Sequence, residues 1–296
     1  MQSAAWTVHT RAAMTTATTI STTISDEPIR VPEITFYFWL VKILTTGAGE
    51  SISDFLGHVS PALAGAVGGI GFLIAITLQF RMKRYVAWTY WFAVLMVAIF
   101  GTMAADIVHD GLHVGYLESS IGFAIALAVI FAWWYRSEQT LSIHSIKTRR
   151  REWFYWSTVI ATFALGTAVG DMTATTFDWG YLDSGIVFGI AILAIGAIYY
   201  VARNALPASH RHRSTLAVFS FWFAYILTRP LGASFADWMG KSRDRSGLGY
   251  GDGTVGLVLL VAILLVVAYL AVTKRDVPSL TDEQEWADPP MARASS

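Results

Sequence analysis

Asp54, Asp106, Asp171 and Asp237 each follow a Trp by fifteen residues and a Gly by five, in the quartets Trp39/Gly49/Asp54, Trp91/Gly101/Asp106, Trp156/Gly166/Asp171 and Trp222/Gly232/Asp237. Each acid lies in an apolar stretch long enough to cross a bilayer. An ionisable side chain there is costly and marks an ion pathway or proton site by default. Glu118, Asp183 and Asp252 open three further apolar segments, and Glu50 stands one turn before Asp54, where the other quartets carry Thr102, Thr167 and Ala233. The chemistry on offer is cation binding or proton exchange. The ion-binding set read from sequence is therefore Glu50, Asp54, Asp106, Asp171, Asp237, Glu118, Asp183 and the cation Arg229.

Two basic residues fall inside the apolar stretches. Lys42 is close enough to one end to snorkel toward the headgroups. Arg229 is deeper, and Pro230 beside it interrupts the helix and frees a carbonyl, so an ion pair from Arg229 to Glu50 or Asp54 is expected. Asp106, His109, Asp110 and His113 fall at helical spacings of three and four, a carboxylate and imidazole set that suits Mn, Fe, Zn or Ni. Gly111 and the adjoining connector place that set at a solvated interface. Glu118, Asp183 and Asp252 also suit first helical turns, where acids complement the helix dipole.

Each quartet opens a unit of two apolar segments, and repetition of this kind fixes the architecture before any local reading. The composition, 54% hydrophobic and 14% charged, is that of a polytopic membrane protein. The fold class expected is all-α: eight spans near 34–57, 61–80, 86–108, 116–135, 153–175, 182–202, 216–239 and 254–273, arranged as four parallel helical hairpins. The domain read from sequence is 31–275, with repeats at about 34–80, 86–135, 153–202 and 216–273. Residues 1–30 and 276–296 read as disordered cytoplasmic tails, and Pro32 as part of the first helical turn. Within each quartet the Gly and the residue before the Asp are four apart (Gly49/Ser53, Gly101/Ala105, Gly166/Gly170, Gly232/Ala236), a spacing that lets helix backbones approach closely.

Sixteen Lys and Arg fall in the tails and in the connectors after even spans, against Lys241, Arg243 and Arg245 in the opposite connectors. The positive-inside rule then puts both termini in the cytoplasm and the aspartates toward the outer mouth. With no Cys there are no thiolate metal sites, and no zinc-protease helix, nucleotide loop or Ser/His pair is present. No catalytic residue and no resident cofactor is assigned, and a nucleic-acid partner is not expected. The partners expected are the bilayer and a small cation substrate, a divalent metal ion included.

The stretches Val31-Pro-Glu-Ile-Thr-Phe-Tyr-Phe-Trp39, Lys42-Ile-Leu-Thr-Thr46, Gly49-Glu50 and Asp54-Phe55 resemble a family of bacterial membrane proteins built of four two-span repeats of unknown function. The resemblance covers about residues 31–275 and implies eight spans with a Trp in each repeat. It implies no activity. Three readings remain: a secondary transporter or exporter of a cation in the bacterial inner membrane, a non-transporting scaffold or accessory subunit, and a membrane-embedded metal or redox enzyme.

Overall fold

The computed structural model describes residues 28–205 and 210–278. Among them are eight α-helices and no strand: α1 (Phe36–Val59), α2 (Pro61–Arg81), α3 (Ala87–Asp106), α4 (Tyr116–Glu138), α5 (Arg149–Asp171), α6 (Gly180–Ala205), α7 (His210–Gly240) and α8 (Asp252–Thr273). Six of them, all but α1 and α5, are long and apolar enough to cross a membrane. The two exceptions carry polar residues along their inner faces, Lys42, Thr46 and Glu50 in α1 and Glu152, Thr162 and Thr167 in α5, every one of them buried.

Local chemistry sets the breaks. Ser60, in extended conformation, separates α1 from α2 and caps α2 by accepting from the Leu63 N–H at 3.4 Å, with Pro61 at the first helical position. Glu118, Asp183 and Asp252 all lie in first turns, as expected of acids at the positive end of a helix dipole. After Asp106 and Asp171 the chain loosens into π-helical turns, Ile107–Gly111 and Met172–Thr176. α7, by contrast, runs unbroken through Pro230, so the expected helix break is absent.

The odd-numbered helices form a closed ring, α1 on α3, α3 on α5, α5 on α7 and α7 on α1. The even-numbered helices lie outside it. Half or more of the apolar windows of α3 and α7 is buried (61% and 50%), against 17%, 22%, 11% and 28% for α2, α4, α6 and α8. Each outer helix packs chiefly on the inner helix of the next repeat, α2 on α3, α4 on α5 and α6 on α7, and α8 closes the circle on α1. A repeat is therefore not a self-contained hairpin: it clasps its neighbour.

The repeated glycines make the ring possible. Counting from each Trp, the Gly at position +10 meets the residue at position +7 of the next inner helix: Gly49 meets Ala98, Gly101 meets Phe163, Gly166 meets Arg229 and Gly232 meets Thr46. A methyl group added at Gly101 would stand 2.6 Å from Phe163 Cβ, and one at Gly232 would stand 2.6 Å from Thr46 Cγ2. Neither contact is tolerable without helices moving apart.

The Trp end of the bundle is tied by segments that the sequence suggested were tails. Ile29, Arg30 and Val31 are buried; the Arg30 N–H donates to Ile146 O, and its guanidinium pairs with Glu152 at 3.0 Å, which also accepts from Gln79 at 3.2 Å. These bonds hold Pro32 outside any helix, so that α1 starts at Phe36 behind Thr35. Asp276 is buried as well and accepts from the Tyr85 hydroxyl, while its carbonyl accepts from the Glu33 N–H. The ordered body thus reaches outward to Pro28 and past Asp276; the rest of the expected tails lies outside the described residues.

Two predictions follow from this packing. Gly101→Ala lowers the thermal midpoint of the detergent-solubilised protein, by about 1–3 kcal/mol of overpacking. Gly122→Ala, where an added methyl group meets nothing within 4 Å, leaves the midpoint unchanged or raises it through helix propensity. Burial raises the Asp276 carboxyl above the usual carboxylate range, against the opposing bond from Tyr85. Its charged form therefore costs the folded state stability near neutral pH, a cost that fades as pH falls through the raised value. Asp276→Asn is expected to raise the midpoint at neutral pH, with the gain shrinking on acidification in melts followed by Trp fluorescence.

Candidate ion site and axial charge column

The inner helices face one another along residues four apart, at positions −1, +3, +7, +11 and +15 from each Trp. Read by helix, the stripes are Phe38/Lys42/Thr46/Glu50/Asp54, Tyr90/Val94/Ala98/Thr102/Asp106, Tyr155/Val159/Phe163/Thr167/Asp171 and Phe221/Tyr225/Arg229/Ala233/Asp237. From −1 to +11 these residues are all buried, none exceeding 8% exposure. The column spans about 24 Å from aromatic layer to aspartate layer, at 1.5 Å per residue.

Its centre is Arg229, wholly buried. Nη2 donates to Glu50 Oε2 at 2.8 Å, to Thr167 Oγ1 at 2.8 Å and to the Thr102 hydroxyl, and Nη1 donates to Thr46 O at 3.2 Å. Thr102 also donates to Glu50 Oε2 at 3.0 Å. Four inner helices are thereby joined through one guanidinium. Its carbon stands 4.8 Å from the Phe163 ring centre, and Nε has no partner. The Arg229–Glu50 pair is one of the two expected from sequence.

One layer toward the Trp end, Lys42 does not snorkel. It is 1% exposed, with Nζ 4.4 Å from the ring centres of both Phe163 and Tyr225 and donating to Thr46 Oγ1 at 3.3 Å. Its place on the axis turns it inward, where ring faces and a hydroxyl rather than a carboxylate face the ammonium. Below it the Tyr90 and Tyr155 hydroxyls are hydrogen-bonded to each other. The buried Tyr225 hydroxyl stands beside Tyr155 without a hydrogen bond of ordinary geometry.

At the other end, acids of the first and fourth repeats meet. Carboxylate oxygens of Glu50, Asp54 and Asp237 lie within 4.8 Å of one another. The Lys241 ammonium enters the group, 2.5 Å from Asp54, 3.6 Å from Asp252 and 3.7 Å from Asp237. Burial alone would lower this amine; the carboxylates of Asp54, Asp237 and Asp252 outweigh it and hold Lys241 protonated above its usual range. Asp171 lies within the electrostatic reach of Glu50, Asp54 and Lys241, and Tyr181 within that of Asp237 and Lys241.

The other residues singled out in the sequence are not among the three carboxylates that meet there. Glu118 and Asp183 are exposed, whereas Tyr181, two residues before Asp183, lies within the electrostatic reach of Asp237 and Asp171. Asp106 is half-buried at the end of α3. Of the metal set expected near it, His109 bonds Val114 O through Nδ1 at 2.8 Å and stacks on Tyr116, and His113 is exposed with φ 58°. The Asp110 side chain lies outside the described residues. Three carboxylates without imidazole form a hard-oxygen set, which suits Mg, Ca or Mn better than Zn or Ni. Asp252 and His58 complete the rim, 3.6 Å apart. A separate cavity of about 690 Å³ flanks the column at the Trp end, lined by Trp39, Ile192, Gly196, Tyr199 and Phe221 among others.

Sequence reasoning missed Thr46, Thr102, Thr167, the three tyrosines and Lys241. Thr46, Thr102, Thr167 and Tyr225 carry a signal that was available: they occupy the same offsets from Trp as Arg229, Glu50 and Lys42, whereas Tyr90 and Tyr155 share theirs only with Phe38 and Phe221. Lys241 had none, because a basic residue in a short connector reads as solvated.

An all-helical, membrane-like chain of four repeats joined by an internal charge column is the class that the fold and site define. The family described as Repeat of Unknown Function (DUF347) matches residues 37–85, 89–140, 154–205 and 220–276, and the chain belongs to it. No curated protein and no solved structure matches the chain.

The column predicts strong coupling between its central partners. Glu50→Gln leaves Arg229 buried without a counter-charge and is expected to cost about 3–5 kcal/mol. The double variant Glu50→Gln/Arg229→Met recovers most of the loss in monodisperse yield and thermal midpoint. Additive losses would show that the two residues do not act as a pair.

Proposed function

We propose that the protein is a membrane transporter of a small cation, with Glu50, Asp54 and Asp237 as its ion site and Lys241 and Arg229 as the counter-charges that hold the site when no cation is bound. All eight helices cross the bilayer in this reading, both termini are cytoplasmic and the aspartate end faces outward, as the distribution of Lys and Arg favours. The observation that carries it is the meeting, within 4.8 Å, of three carboxylates from the first and fourth repeats at the end of a buried polar column. Carboxylates crowded this closely repel one another and need positive charge among them. Lys241 supplies one on a flexible stem, at a mouth that a cation from outside would reach first.

A second reading, a scaffold without transport, is favoured by the saturation of Arg229: four partners on three neighbouring helices make it a cement. The two readings part on one experiment. Full-length protein in liposomes containing a Mn²⁺-quenched dye is expected to admit Mn²⁺, and Asp54→Asn and Asp237→Asn to lower the rate by about tenfold or more, the loss of about 1.4 kcal/mol of ion stabilisation. Empty-liposome rates for the wild type, with the Asn variants altered in folded yield alone, would establish the scaffold.

A further inference from the structure

α6 and α7 do not stay in contact along their whole length. The face that α6 turns to α7 carries Gly185, Gly189, Ile192, Gly196 and Tyr199 at helical spacing. Toward the aspartate end the two helices touch: a methyl group added at Gly185 would stand 3.2 Å from the Phe235 ring, and one at Gly189 would stand 3.6 Å from Leu231. Two turns on, one at Gly196 meets nothing within 4 Å. The cavity of about 690 Å³ is the wedge that opens there, with Ile192, Gly196 and Tyr199 on one side and Ala217, Phe221 and Ala224 on the other. Ile34 and Trp39, on either side of the start of α1, and the 3₁₀ turn Ile143–Ser145 supply further wall.

One charged group marks this mostly apolar wall. Glu33 is the single acid that lines it, and no Lys or Arg among the described residues does so. The Glu33 side chain is 26% exposed; Oε1 has the His144 imidazole at 3.5 Å, longer than an ordinary hydrogen bond, and Oε2 has no hydrogen-bond partner. A carboxylate so placed favours positive charge beside it. The aliphatic side chains and the ring pair of Trp39 and Phe221, with centres 5.7 Å apart, favour an apolar body and suit a cation near their faces. The volume falls in the range of small-molecule sites.

The geometry points to a binding site for an amphipathic organic cation, an ammonium or phosphonium on an aromatic or aliphatic frame, with its charge beside Glu33 and its frame in the wedge between α6 and α7. An inorganic cation finds a single carboxylate here, too few oxygen ligands to replace its water. A fatty acid or a phosphate headgroup would bring like charge to Glu33. None of the lining residues belongs to the carboxylate group at the aspartate end, so this second site stands whether or not the column carries ions.

Tetraphenylphosphonium and tetraphenylborate, matched in shape and opposite in charge, are the probes that separate charge recognition from apolar filling. Titration calorimetry of full-length protein in nanodiscs, less the heat of empty nanodiscs, is expected to show saturable binding of the phosphonium alone. Glu33→Gln, which keeps the backbone bond from residue 33 to the Asp276 carbonyl, should weaken that binding by about tenfold or more. Gly196→Trp, with open space around the added side chain, should narrow the wedge and weaken binding as much, while the thermal midpoint stays the same or rises. Equal binding of both probes, or no saturable binding of the phosphonium, overturns the proposal. So does phosphonium binding that either variant leaves at the wild-type affinity; if only Glu33→Gln is without effect, the cavity takes any apolar guest, a lipid chain included.

Discussion

A guanidinium cannot shed its charge, so an Arg sealed inside a helix bundle dictates what its neighbours must be. Arg229 obtains a carboxylate from α1, hydroxyls from α3 and α5 and a carbonyl from α1. Those partners occur at the two repeat positions, +7 and +11, that face the axis in every inner helix. The ring must close tightly enough for one side chain to reach all of them. That requirement accounts for the glycine at +10 in each repeat, since Gly166 lies directly against the Arg229 stem and the other three make the equivalent contact.

Fourfold repetition supplies the geometry, and departures from it supply the chemistry. Four identical repeats would place four like residues at each level, and four carboxylates or four guanidiniums on one axis would repel. Here each level is filled differently: Lys42 with two Val and a Tyr, Arg229 with Thr, Ala and Phe, Glu50 with two Thr and an Ala. The unlike residues concentrate in repeats one and four, which adjoin because α7 packs on α1 and α8 closes over both. Only the aspartate level is uniform. There the crowding is relieved by a charge from outside the repeat pattern, Lys241, and by the half-buried position of Asp54, Asp106 and Asp171.

Much of this was legible in the chain. The Trp, Gly and Asp spacing gave four parallel units, eight helices, the close backbone approaches and the pairing of Arg229 with Glu50. The errors have a common physical source, which is that sequence position tells little about whether a charge at the edge of an apolar run is solvated. Lys42 read as snorkelling, Lys241 as a connector charge and Arg30 as a tail residue; Lys42 and Arg30 are buried and Lys241 is half-buried, and each meets at least one partner more than a hundred residues away: Phe163 and Tyr225 for Lys42, Glu152 for Arg30 and Asp54 for Lys241. The internal pairing of repeats was equally hidden, because a helix that packs on the next repeat has the same apolar pattern as one that packs on its own.

The failure of α1 and α5 to look like spans follows from the same arrangement. A helix facing lipid must be apolar on its outer surface, while a helix enclosed by others can carry threonines, a lysine and a glutamate provided each finds a partner. α1 is flanked by α3, α7 and α8, and α5 by α3, α4 and α7, so α8 and α4 rather than α1 and α5 present the apolar outer surface there. Hydropathy summed over a single helix therefore underestimates two of the four helices that hold the polar column, α1 and α5. The two inner helices that fall short are those whose buried faces carry Lys42, Thr46 and Glu50 in α1 and Glu152, Thr162 and Thr167 in α5.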